Sequence, residues 1–80
     1  MKMRELLEYL IKGITGKEDF SIEEASEDDK VTYNVRLAPD EIGLVIGREG
    51  KVIKAIQTLM RVRGGKENLS IIVNVSEKEA

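Results

Sequence analysis

Val45-Ile46-Gly47-Arg48-Glu49-Gly50-Lys51-Val52-Ile53-Lys54-Ala55-Ile56 is the stretch from which the rest of the 80-residue chain is read. Two glycines enclose Arg48 and Glu49 between two apolar-rich segments. Asp40 to Ile46, before them, reads as a helical turn or two. Lys51 to Val62, after them, reads as a longer amphipathic helix. Its expected buried stripe is Val52, Ile53, Ile56, Leu59 and Met60. Lys51, Lys54, Thr58 and Arg61 recur every three or four residues and share its outer face. A tight glycine turn that opens a helix exposes backbone N–H groups at the positive end of the helix dipole. Such a place suits an anion, phosphate above all.

The flanking sequence reads as a scaffold for this turn. Met3, Leu6, Leu7, Leu10, Ile11 and Ile14 fall at helical spacing, with Arg4, Glu5, Glu8 and Lys12 on the other side. Gly16 suits the C-terminal cap of that helix. Phe20 and Ile22 alternate with Ser21 and Glu23 in a short strand within Lys17 to Ala25, and Ser26-Glu27-Asp28-Asp29 reads as a polar turn. Val31, Tyr33, Val35 and Leu37 alternate with Thr32, Asn34 and Arg36, the clearest strand in the chain. The two strands are expected to form a hairpin. Pro39 holds Ala38 extended, and Asp40 can cap the short helix after it. Gly64-Gly65 is expected to end the second long helix. Leu69, Ile71, Val73 and Val75 mark a last strand, in which Ile72 breaks the alternation. Glu77 to Ala80 reads as a frayed charged tail. The predicted order is α-β-β-α-α-β, an α+β fold with helices packed on a three-stranded sheet around one core.

Composition narrows the function. Eighty residues make a single domain, 1–80. There is no cysteine and no histidine, so thiolate–metal sites, disulfides and the commonest general base are excluded. No stretch approaches the ~18 apolar residues of a membrane span. Glu5 and Glu8 interrupt the N-terminal apolar residues, unlike a signal peptide. A cytoplasmic protein without catalysis or cofactors is the expectation. The net charge is −2 but is unevenly spread. Residues 41–66 carry six basic and two acidic side chains, and residues 1–40 six basic and ten acidic. Positive charge gathered around the glycine turn can steer a polyanion to one face despite the overall sign.

Spacing excludes two phosphate motifs. A P-loop ending at Gly50-Lys51 requires glycine at 45 and Ser or Thr at 52, where the chain has Val45 and Val52. A dinucleotide fingerprint ending at Gly50 also requires glycine at 45. The pattern that fits is Ile46-Gly47-Arg48-Glu49-Gly50-Lys51-Val52-Ile53, or Ile-Gly-x-x-Gly-x-x-Ile. With a short helix before it and an amphipathic helix after it, this resembles the KH domain, a single-stranded nucleic-acid module whose GxxG loop clamps the backbone of four nucleotides. The α-β-β-α-α-β order is similar to the type II, bacterial arrangement, and the resemblance covers essentially the whole chain. At this size the chain resembles the small stand-alone bacterial KH proteins of the KhpA type. That implies an RNA chaperone or regulator, and a homodimer or a heterodimer with a larger KH-containing partner of the KhpB type.

On the residues themselves, Gly47 and Gly50 lack Cβ and let a sugar–phosphate chain approach. Amides around Arg48 to Lys51 meet phosphates, and Arg48, Lys51 and Lys54 add charge and salt dependence. Bases are expected in a groove between the helix pair and the strand Val31 to Leu37. Val45, Ile46 and Ile53 are candidates for its floor, and Arg36 and Asn34 for contacts with base edges. Only Tyr9, Phe20 and Tyr33 are aromatic, which argues against stacking platforms. Glu49 places a carboxylate inside the loop, where it repels phosphate. Two other readings stand beside this one: the GxxG as a bare helix–helix turn, and the domain as a protein-interaction module that dimerises or docks a partner with little RNA binding.

Overall fold

The computed structural model describes residues 2–78. Its elements are α1 (Met3–Thr15), β1 (Ser21–Glu27), β2 (Lys30–Leu37), α2 (Pro39–Ile46), a single 3-10 turn (Arg48–Gly50), α3 (Lys51–Gly65) and β3 (Ser70–Glu77). The order is the α-β-β-α-α-β read from the sequence, and the fold is α+β and KH-like. In the sheet, β2 lies between β1 and β3, antiparallel to the first and parallel to the second.

Local chemistry accounts for the element ends. The Lys2 amide donates to the Glu5 carboxylate at 3.1 Å, satisfying a backbone group ahead of α1. Gly16, at φ 73°, closes α1 through its amide to the Lys12 carbonyl at 2.7 Å. Pro39 occupies the first turn of α2, where its missing N–H costs nothing. The β1–β2 hairpin turns more tightly than expected. Ser26 and Glu27 stay in β1, Glu27 pairs with Lys30, and Asp28-Asp29 alone makes the turn, with Asp28 at φ 54°. Aspartate tolerates this left-handed region better than most side chains.

α3 ends at the glycine pair, as expected, with Gly64 and Gly65 as its last two helical residues. Gly64 is buried because β3 crosses there: a Cβ on it would collide with Ile71 and reach to 3.0 Å from the Leu69 carbonyl oxygen. Leu59, assigned to the buried stripe, is 50% exposed, whereas Ile56 and Met60 are buried. The contact line of α3 runs through Ile56, Met60 and Gly64, and Leu59 sits to one side of it.

The core joins Leu7 and Ile11 of α1, Val45 of α2, Ile56 and Met60 of α3, and the inward residues of the sheet. Val31, Tyr33, Val35 and Leu37 all face inward, as the alternation predicts. The Ile71-Ile72 pair resolves the same way, with Ile71 buried and Ile72 on the open face. Glu77 pairs with Leu37, and the Lys78 amide donates to the Leu37 carbonyl at 2.8 Å, so the end of β3 is anchored to β2. Residues 79 and 80 of the expected tail lie outside the described residues. Among the described residues no helix is long and apolar enough to cross a membrane.

Candidate nucleic-acid interface

The loop Gly47-Arg48-Glu49-Gly50 is built from backbone conformations that few residues adopt. Gly47 has φ 75° and ψ 176°, a region that is essentially glycine-only. A Cβ there would collide with the Val52 side chain and stand 2.9 Å from the Val52 amide nitrogen. Gly50 has φ 75° and ψ 15°, but the space beside it is open. The two glycines thus serve different ends: Gly47 lets α2 and α3 come together, and Gly50 leaves the loop surface bare for a ligand backbone.

Two of the loop amides are spent inside the loop. The Gly50 amide donates to the Gly47 carbonyl at 3.2 Å, and the Lys51 amide to the Arg48 carbonyl. The Arg48 and Glu49 amides have no such bond among the described residues, and they are the donors left for a phosphate. Arg48, Lys51 and Lys54 are exposed around them. No acidic residue occurs anywhere in α3, which carries Lys51, Lys54, Arg61 and Arg63.

Glu49 is the dissonant residue, held at φ 57°, ψ 25°. A side chain in this left-handed well costs roughly 1–2 kcal/mol. Glu49→Gly is therefore expected to raise unfolding stability by about 1 kcal/mol in a urea titration. It also removes a negative charge beside the free amides, so affinity for a phosphate backbone should rise rather than fall. A variant both less stable and weaker in binding would contradict this account of the loop.

The structure gathers some of the expected site residues and separates others. Ile46 is 37% exposed beside the loop, and Ile53 is half-buried against the core. Val45 has no exposed surface and belongs to the core. Arg36 lies on the open face of the sheet, turned away from the helices, with its guanidinium 3.2 Å from Glu23. Asn34 is on that face too, accepting from the Asn74 side chain at 3.2 Å. Neither is brought to the loop.

The strand Val31 to Leu37, beside which the groove is expected, is not the edge that flanks α3. β2 is the central strand, hydrogen-bonded on both sides, so the strand that flanks α3 with a free edge is β3. There, Gln57, Arg61, Ile71, Ile72, Val73 and Asn74 line a cleft of about 180 Å³. The Gln57 amide donates to the Val73 carbonyl at 3.1 Å, tying α3 to the strand across it. Sequence reading missed Gln57, although it lies three residues from Lys54 and four from Arg61, on the same side of the helix. A larger hollow of about 660 Å³ lies at the far end of α3, around Arg4, Glu24, Tyr33, Arg63 and Glu67 among others. Its cations and anions balance, so it offers a polyanion no net attraction.

With this geometry in view, similarity to known proteins becomes informative. The profile described as KhpA/KhpB, KH domain, matches residues 4–75. The chain is similar to the RNA-binding protein KhpA of Clostridium perfringens, 31% identical over 74 residues that cover 91% of this chain and 99% of the relative. It is also similar to RNA-binding protein KhpA of Chlamydia trachomatis, 31% identical over 77 residues covering 95% and 99%. The Chlamydia pneumoniae protein of the same name is 32% identical over 78 residues covering 96% and 100%. No solved structure matches the chain.

Proposed function

The chain belongs to the KhpA/KhpB KH-domain family, and on that premise we propose that it is a single domain that binds single-stranded RNA at the Gly47-Arg48-Glu49-Gly50 loop, without catalysis. The observation that supports this most is the pairing of two uncommitted amides, Arg48 and Glu49, with an α3 that carries no acid. Phosphates meet the amides and the positive end of α3. Arg48, Lys51 and Lys54 supply counter-charge, and the bases extend along the cleft between α3 and the free edge of β3. Gln57, Arg61 and Asn74 are the polar groups placed to meet base edges there. The reading includes a cytoplasmic RNA chaperone or regulator role. It also includes self-association or pairing with a larger KH-containing protein of the KhpB type.

Fluorescence anisotropy with short single-stranded RNA pools at two salt concentrations tests it. Wild type is expected to bind and to weaken as salt rises, because bound cations release counterions from the phosphates. The folded Arg48→Asp/Glu49→Asp variant is expected to lose at least about tenfold in affinity, equivalent to ~1.4 kcal/mol. Equal binding by both, or by neither, would assign the loop a structural role and favour the protein-interaction reading.

A further inference from the structure

The connection between α1 and β1 meets the start of α2 with its charges incompletely matched. Glu41, in the first turn of α2, is almost wholly buried, and neither of its carboxylate oxygens has a hydrogen-bond partner. An acid in a first helical turn ordinarily accepts from a backbone amide, and this one does not. Within hydrogen-bonding reach of it is Asp19, exposed on the connection. Two ionised carboxylates can only accept, so neither satisfies the other. The remaining charges that act on Glu41 are Lys17 from the connection and Asp40 from its own helix, which stand 3.9 Å from each other. Among the described residues, α1, α3 and β3 also pack on α2 and bring no further charge to bear on it. Three acids thus meet one lysine around a buried carboxyl.

We infer that Asp19 and Glu41 share one proton, which latches Lys17 to Asp19 of the connection onto the start of α2 and releases them when it is lost. With the proton present, one carboxyl donates its O–H to the other carboxylate, and Glu41 gains the partner it otherwise lacks. When the proton passes to solvent, two carboxylates are left in contact, and like charges at that range repel. The connection is the element free to respond. Residues 17–20 have neither helical nor strand structure. The Lys17 side chain reaches α2 through an exposed ion pair that is worth little. Glu18 is tied to Lys12 of α1 at 2.8 Å rather than to α2. Phe20 packs on the core and confines the movement to the residues before it. Swinging Asp19 aside separates the charges and opens Glu41 to water. Burial, and then Asp19, hold the Glu41 carboxyl above the usual carboxylate range. The latch is therefore closed at low pH and opens as pH rises through that raised value.

NMR of the full chain tests the latch, with side-chain carboxyl titrations and backbone order parameters recorded from about pH 4 to about pH 8. In wild type, Glu41 is expected to titrate above the ordinary range. Over that same step the Glu18 and Asp19 amides should lose order, from S² of ~0.85 to below ~0.6. The amides of β2 and α3 should keep theirs, which separates release from unfolding. Glu41→Gln and Asp19→Asn each place a permanent donor in the pair, and both are expected to keep the connection ordered across the range. Asp19→Asn, at an exposed position, should also bring the Glu41 titration back down, because its amide donates to the ionised form. A Glu41 that titrates as high in Asp19→Asn as in wild type would assign the effect to burial alone and overturn the shared proton. A wild-type connection equally ordered at both ends of the range overturns the latch, as does a connection that loses order alike in all three proteins.

Discussion

Gly47→Ala is expected to lower unfolding stability by about 3–5 kcal/mol. Two costs add. An L-residue forced into the left-handed half of the map loses roughly 1–2 kcal/mol, or more in the glycine-only region. Overpacking against Val52 costs a further ~1–3 kcal/mol. A domain of this size has of order 4–12 kcal/mol to lose, so the variant should unfold at much lower urea or be partly unfolded at 37 °C. Gly50→Ala provides the contrast. It has the same φ of 75° but open space around the new methyl group, so only the conformational cost of roughly 1–2 kcal/mol applies. Equal losses in the two variants would show that the Gly47–Val52 approach carries no energetic weight.

Glu41→Gln is expected to raise the melting temperature at pH 7. Glu41 lies in the first turn of α2, only 2% exposed, and neither carboxylate oxygen has a hydrogen-bond partner. Burial first, and then neighbouring Asp19, push its carboxyl above the usual carboxylate range, while Lys17 works against them. A carboxyl with a raised folded-state pKa binds its proton more tightly folded than unfolded. Stability is therefore greatest when it is protonated. It falls as pH rises from the ordinary carboxylate value through the raised one, and the full penalty is present above that. Glutamine keeps the shape without the charge. The difference in melting temperature between variant and wild type should thus be small near pH 4 and grow toward pH 7. A difference that is flat with pH, or that shrinks as pH rises, would show that the Glu41 carboxylate is satisfied by water.

The helices, the hairpin and the loop were all legible in the sequence, because each is written in local periodicity or punctuation. The α1 stripe, the Val31 to Leu37 alternation and the glycines of the loop each state their structure within about a dozen residues. What the sequence concealed depends on partners distant along the chain. Gly64 reads as part of a helix stop, and only the crossing of β3 shows that it is also a buried contact point. Leu59 fits the helical spacing but misses the contact line, which the sheet decides. Glu41 looks like an ordinary first-turn acid beside Asp40, and its burial depends on tertiary packing that the local sequence does not state. Strand order is a tertiary fact of the same kind: it puts β2 in the middle and leaves β3 as the free edge beside α3. The alternation fixed the face of Arg36 correctly, and the packing of the helices on the other face decides that it points away from them.

The parallel pairing of β2 with β3 also sets an order of assembly. The β1–β2 hairpin closes through two residues, and structures of that kind form in roughly 1–10 μs. β3 joins β2 across contacts such as Asn34–Asn74, separated by 40 residues, so the α2–loop–α3 segment must be gathered before the strand can dock. The cleft beside α3 therefore comes into being at the last step of folding, after the loop. In pulse-labelling hydrogen exchange, the amides of the hairpin should gain protection first and those of β3 last.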